Sequence, residues 1–193
     1  VNIDVDSAKW AECEINRNGN YERYKNTNTG ISPMLFPPSK NVIKWNSHEH
    51  DEYGITTEQS ETVTLMQDKR IKKIESIKDF LKKLKTVNIY GKKGNIIITY
   101  GSTTMSVLEA IKFGDIEATV IQPIYLNPFP TWEFDKYQPE EVIVVEQSAI
   151  GQLSNLLNSS TNITIKKTIK KYDGRPFDPI ELSKKIKEAM SNE

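Results

Sequence analysis

The chain has 193 residues, which at roughly 150 residues per domain predicts one domain, or one domain with an appendage, and leaves ample length for a buried core. Its 26 basic and 26 acidic residues cancel to a formal net charge of zero, so no global positive field draws the protein to nucleic acid or to an anionic membrane surface. The one cysteine, Cys13, excludes an internal disulfide and a cysteine-rich zinc or iron–sulfur site within the chain, and points to a reducing compartment.

The first residues, "VNIDVDSAKW", carry no initiating methionine and lack the basic-then-apolar pattern of a signal peptide. No run approaches the roughly 20 apolar residues that cross a bilayer, so the expectation is a cytoplasmic chain, either a fragment or a processed product. Up to about Thr56 the clusters of Asn, Gly, Pro and Ser predict loops and turns. Tyr21, Tyr24, Met34, Leu35 and Phe36 make this segment too apolar for a free linker, so it is expected to pack on something, including another chain. From about Glu58 the pattern turns helical. Val63, Met66, Ile71, Ile74, Ile77, Leu81 and Leu84 recur at spacings near three and four, with lysines between them. A solvated lysine face on a packed helix and a membrane-surface helix both fit that pattern, and the near absence of aromatic wedges favours the packed helix. An apolar share of 37% beside 27% charged residues suits either a surface rich in ion pairs or a long segment that a partner covers.

From Val87 onward strands and helices alternate. "VNIYG" predicts a short strand turning at Gly91 to Gly94, and "NIIITY" a buried, parallel one. "STTMSVLEAIKF" predicts a helix with Met105, Leu108, Ile111 and Phe113 on its inner side. "EATVIQPIYL" and "EVIVVEQ" predict two more strands, separated by a proline-broken connection with a short helix. "AIGQLSNLLN" reads as a helix, "NITIKKTIKKY" as an edge strand and "IELSKKIKEAM" as a closing helix. Repeated βα units imply an α/β fold: an open three-layer αβα sandwich on a mostly parallel sheet. The predicted division is residues 1–85, irregular and then helical, and residues 86–193, the sheet domain.

"TYGSTTMSVLEA" has the strand, glycine, helix order of phosphate-binding loops. It lacks the three glycines of the dinucleotide fingerprint and the GxxxxGK of a Walker loop. What remains is a helix start bearing Gly101, Ser102 and Thr103. Two readings stand: its N–H groups receive an anion, or Ser102 or Thr103 caps the helix. In "NSHEHDEYG", His48, His50 and Glu52 alternate as weak metal-ligand candidates, without a third histidine or helical spacing, so no metal site is assigned. With only two histidines, side by side, no nucleophile–histidine–acid set can be assembled, and no catalytic residue is assigned. Trp10, Trp45 and Trp132 are expected to be packing anchors.

Together the motifs resemble one family. "YERYKNTNTGISPMLFPP", "HEHDEYGITTE" and "DKRIKKIE" are similar to the latter half of the alpha chain of 2-oxoacid:ferredoxin oxidoreductases. So are "TYGSTTMSVLEAI", "IQPIYLNPFP", "VIVVEQSAIGQL" and "YDGRPF", in the same order from about Tyr21 to Phe177. The chain departs from the family where Pro37-Pro38 stands for the usual Pro-Gly and His48 for a common acidic residue. The resemblance implies a tail of the pyrimidine-binding domain followed by a transketolase C-terminal-like domain. It implies oxidative decarboxylation of a 2-oxoacid, with thiamine diphosphate, magnesium, a [4Fe-4S] cluster and coenzyme A in the complete enzyme and none of them held by this segment alone. It implies as partners the rest of the alpha chain, a beta chain carrying thiamine diphosphate, and ferredoxin, with no nucleic acid and no membrane. Within this segment it implies an assembly role, a contact of Gly101, Ser102 and Thr103 with coenzyme A or another anion, and a subunit-contact loop at His50 and Asp51. The alternative is a non-catalytic binding or interaction module with the same fold.

Overall fold

The computed structural model describes residues 21–135 and 141–191. The expectations for Trp10 and for the first twenty residues therefore lie outside the described residues. The chain divides between Phe80 and Leu81 into two compact units.

In unit 1, residues 21–59 contain no helix or strand, only isolated bridge residues, His50 with Thr56 among them. The segment is nonetheless anchored. The buried Tyr21 donates its hydroxyl to the Pro33 carbonyl (3.0 Å) and accepts from Leu35 N–H (3.0 Å), while Tyr24 Oη accepts from Asn46 N–H (3.1 Å). Trp45 departs from the expected anchor role, being 65% exposed. Helix α1 spans Ser60–Leu81. Its buried side shares Met66 and Leu81 with the one the apolar spacing predicts and adds Lys69. Met66, Lys69 and Leu81 are buried, whereas Ile71, Ile74 and, beyond the helix, Leu84 are exposed. At Lys69 the reason lies in the preceding loop, which packs on the backbone of Lys69 and Lys73. Ser76 Oγ donates to the Thr29 carbonyl at 2.7 Å, and a Cβ on Gly30 would lie 2.6 Å from the Lys69 carbonyl.

Unit 2 holds a five-stranded sheet: β1 (Val87–Tyr90), β2 (Asn95–Ile98), β3 (Ala118–Pro123), β4 (Glu141–Glu146) and β5 (Thr164–Lys170), in the order β1-β3-β2-β4-β5. Only the β1–β3 pair is antiparallel. Between strands run α2 (Thr103–Gly114), the single turn α3 (Thr131–Phe134) and α4 (Gln152–Ser160), and α5 (Pro179–Met190) closes the unit. Alternate residues of the central strands enter opposite cores, as a strand covered on both faces requires. Ile96, Ile98, Val142 and Val144 meet Phe134 of α3 and Leu153 and Leu157 of α4. Ile97, Ile143 and Val145 meet Val107 and Ala110 of α2 and Leu182 and Ile186 of α5. This is the expected three-layer αβα sandwich.

Two local readings are corrected. Met105 and Phe113 of α2 are 67% and 60% exposed, and the inner side is made by Thr103, Thr104, Val107 and Ala110. Small residues face inward because α5 comes close: a Cβ on Gly114 would lie 3.0 Å from Ser183 Oγ. Strand β5 is at an edge as expected, but its alternation breaks at Lys166, where Val142 pairs with Ile165 and Ile143 with Lys167. The extra residue makes a bulge.

Candidate functional site

Strand β2 runs into α2, which lies on one face of the sheet and leads to β3. Strand β4 runs into α4, on the opposite face, and leads away to β5. The chain therefore reverses its winding between β2 and β4, and the carboxyl ends of such a strand pair are where open α/β sheets bind ligands. Two loops meet that description, residues 99–102 and 147–151.

The second loop satisfies itself. The fully buried carboxylate of Glu146 accepts from Leu153 N–H (2.8 Å), Ser154 N–H (3.1 Å) and Ser154 Oγ (2.7 Å). Ser148 Oγ accepts from Gly151 N–H (3.1 Å) and Gln152 N–H (3.2 Å). Helix α4 thus starts with its free amides already matched by a negative charge from the strand before it.

The first loop does not. Ser102 already has helical angles (φ −67°, ψ −23°) and its side chain caps nothing, so the self-capping reading fails for Ser102. Thr104 N–H and Met105 N–H turn back to the carbonyls of Gly101 (3.3 Å) and Ser102 (3.2 Å). Gly101, at φ +58°, has nothing within 4 Å of where a Cβ would sit, so packing does not explain the glycine. The carbonyl of Gly101 is fixed from β3. Gln122 Nε2 donates to it at 3.4 Å, and Gln122 Oε1 accepts from Asn88 Nδ2 (3.1 Å) and Tyr90 Oη (3.2 Å). Among the described residues, the buried side-chain oxygens without a partner are Thr99 Oγ1 and Thr104 Oγ1, which flank this same loop. Gly101 and Ser102 are exposed, and Thr103 turns its side chain inward at 6% exposure. The sequence singles out the three loop residues as candidates and does not single out Gln122 or Glu146. The signal was present: each is a lone polar residue closing an apolar strand.

In unit 1, His50 is 5% exposed, stacked on Tyr24 with ring centroids 3.8 Å apart, and its Nδ1 lies 2.9 Å from the Asp51 carbonyl. Asp51 Oδ1 accepts from the N–H groups of Tyr53 and Ile55 (both 2.9 Å), closing a tight loop as aspartates commonly do. Glu52 Oε1 accepts from Asn26 N–H at 2.6 Å. His50 and Glu52 are therefore committed separately, His48 donates only its backbone N–H, to Asn46 Oδ1 at 2.9 Å, and no cluster of three metal-ligating side chains forms among the described residues. Glu49 holds this loop to α1, accepting from Arg70 Nη1 (2.9 and 3.0 Å) and Gln67 Nε2 (2.9 Å). The Arg70 hydrogen bonds keep its carboxyl below the ordinary carboxylate range. A depressed folded value means that the pair contributes above the unfolded pKa and is lost as pH falls through the folded one. Acid titration followed by NMR should show the Arg70 guanidinium resonance shifting below about pH 4.5, and Glu49→Gln should flatten that transition.

Unit 2 is by its architecture an open α/β domain of the kind that binds ligands at the carboxyl ends of its strands. No family model matches the chain. It is 30% identical over 190 residues to subunit alpha of 2-oxoacid:ferredoxin oxidoreductase 1 of Sulfurisphaera tokodaii, covering 95% of this chain and 30% of that one. It is 33% identical over 175 residues to the alpha subunit of the Saccharolobus solfataricus 2-oxoacid:ferredoxin oxidoreductase, covering 86% and 27%. Among solved structures, the 2-oxoglutarate:ferredoxin oxidoreductase from Magnetococcus marinus, with 2-oxoglutarate, coenzyme A and succinyl-CoA bound, matches with a TM-score of 0.71 at 30% identity, over 92% of this chain and 32% of that one. The chain is homologous to part of the alpha subunit of 2-oxoacid:ferredoxin oxidoreductases, as its motifs indicate, and it spans about 30% of the length of the curated relatives it matches. No helix among the described residues is long and apolar enough to cross a membrane.

Proposed function

We propose that the chain is the C-terminal portion of an alpha subunit in a cytoplasmic, thiamine-diphosphate-dependent 2-oxoacid:ferredoxin oxidoreductase, which converts a 2-oxoacid to its acyl-CoA and reduces ferredoxin. The observation that carries this reading is the similarity to named alpha subunits along 95% of the chain. Thiamine diphosphate with magnesium supplies the decarboxylation chemistry and a [4Fe-4S] cluster carries the electrons. Their ligands belong to other parts of the complex, since a chain with one cysteine, Cys13, cannot supply the four thiolates of such a cluster. This segment contributes assembly with the rest of the alpha chain and with a beta chain, His50 and Asp51 shaping a loop at a subunit contact.

The start of α2 is the place for an anionic group of coenzyme A. Gly101 leaves the space open, and the helix end there has no side-chain cap. A phosphate before Ser102 and Thr103 would gain their N–H groups, the Ser102 hydroxyl and the helix dipole.

The test is to produce the complete alpha subunit with its beta partner and measure bound thiamine diphosphate, iron, and 2-oxoacid- and CoA-dependent ferredoxin reduction. A product that assembles with no beta chain and holds neither cofactor overturns the oxidoreductase reading in favour of a non-catalytic module. Within an active complex, Ser102→Ala with Thr103→Val should raise the KM for coenzyme A about tenfold, the loss of one charge-assisted hydrogen bond, with kcat unchanged. An unaltered KM would remove coenzyme A from this loop.

A further inference from the structure

A second concentration of chemistry lies in unit 1, on α1 and the loop that precedes it. Lys69, in the middle of α1, is 8% exposed, which is rare for a lysine without a counter-charge. Among the described residues its side chain makes no hydrogen bond and no ion pair. The loop that covers it brings a second cation, Arg23, whose guanidinium carbon lies 5.2 Å from the centroid of the Tyr24 ring. Lys73 follows one helical turn after Lys69, on the same side of α1. Arg70 adds a fourth positive group, but Glu49 already neutralises it at 2.9 Å. Glu52 acts on Lys69 in the opposite sense to the cations, and its Oε1 is engaged by Asn26 N–H. Burial, followed by the charges of Lys73, Arg23 and Arg70, pulls the Lys69 ammonium below the ordinary lysine range.

Lys69 is a buried ammonium with Lys73 one turn away on the same side of α1 and Arg23 on the loop packed against it, and a negative charge joining them would relieve their repulsion. The backbone contact of the Thr27–Ile31 turn on α1 holds the arrangement in place. We propose that Lys69, Arg23 and Lys73 form a binding site for a multiply charged oxyanion. Arg23 supplies a planar fork and the two lysines supply point charges, a combination suited to a phosphate group and, more weakly, to a dicarboxylate. This site is independent of the α2 loop and of the oxidoreductase reading.

Calorimetric titration of the chain with inorganic phosphate and, separately, with succinate tests the site, chloride being used to hold ionic strength constant. Phosphate should bind saturably, and Lys69→Met should weaken it at least tenfold. Without phosphate, Lys69→Met should raise the melting temperature, because it keeps the packing of the stem and removes the repelled charge. Arg23→Met supplies a second arm outside the helix and should also weaken phosphate. Phosphate should slow acetylation of Lys69, read by peptide mass spectrometry, and leave that of Lys184 unchanged. Tighter binding of succinate than phosphate, still lost in both variants, would keep the site and make a carboxylate its ligand. Absence of saturable binding by either anion, or binding that both variants retain, would overturn the proposal.

Discussion

Replacement of Glu146 by alanine is expected to destabilise the sheet domain by about 3 kcal/mol, the cost of losing charge-assisted hydrogen bonds while stranding buried donors. That corresponds to a fall in melting temperature of roughly 10–20 °C for a unit of this size. The carboxylate accepts from two backbone amides and one hydroxyl at the start of α4, and the same Ser154 hydroxyl accepts in turn from Thr168 of β5 at 2.9 Å. Removing it therefore loosens the join of β4, α4 and β5 together. Glu146→Gln keeps the shape but turns an NH2 toward an N–H, so it should recover less than half of the loss. Urea unfolding gives the magnitude, and hydrogen exchange at Leu153 and Ser154 gives the location. A melting temperature within a few degrees of the parent would show that water replaces the carboxylate there, contrary to its burial.

Gly94→Ala is the second change with a large expected effect. Strands β1 and β2 are consecutive but not adjacent, because β3 lies between them. The four residues from Gly91 to Gly94 must pass round the beginning of β3, where Thr119 Oγ1 donates to the Lys93 carbonyl at 3.1 Å. At Gly94, with φ +74°, a Cβ would fall 1.9 Å from the Glu117 carbonyl oxygen. Neither atom can move without shifting a strand. The expected loss is about 3 kcal/mol or more, combining left-handed backbone strain with overlap, and β1 should lose its hydrogen-exchange protection before the rest of the sheet. Gly101→Ala is the contrasting control. Its φ is also positive, but the surrounding space is open, so about 1 kcal/mol is expected. If α2 receives coenzyme A, that alanine should affect the KM far more than the melting temperature. A Gly94→Ala chain as stable as the parent would show that the turn takes another path.

The central sheet was legible because strands buried on both faces are continuously apolar, as in Ile96–Ile98 and Val142–Val145. The antiparallel direction of β1 was not, since a short strand of mixed character carries no mark of its partner. Apolar periodicity named part of the inner sides of α1 and α2, Met66 and Leu81 in one and Leu108 and Ile111 in the other, and misplaced the rest for one physical reason. It weights large residues, whereas the tightest contacts here use small or unlikely ones: Ala110 and Gly114 against α5, and the stem of Lys69 under a loop backbone. Of the candidate site, Gly101, Ser102 and Thr103 could be read from a strand–glycine–helix order. The contrast that gives them meaning could not. It depends on Glu146 reaching seven residues ahead to occupy the neighbouring helix start, a spacing set by how the chain turns rather than by any motif.

The bulged edge at β5 bears on assembly. A sheet with a bare edge can pair with a copy of itself, strand against strand. Here the edge strand carries Lys166, Lys167 and Lys170, with Lys185 of α5 beside them. Two such edges brought together would set lysines against lysines along an interrupted ladder of hydrogen bonds. Self-association through β5 is thereby disfavoured, so the chain reserves this flank for water or for a surface of opposite sign. Within the complex proposed above, that leaves the order of assembly to be decided by unlike partners rather than by sheets that extend one another.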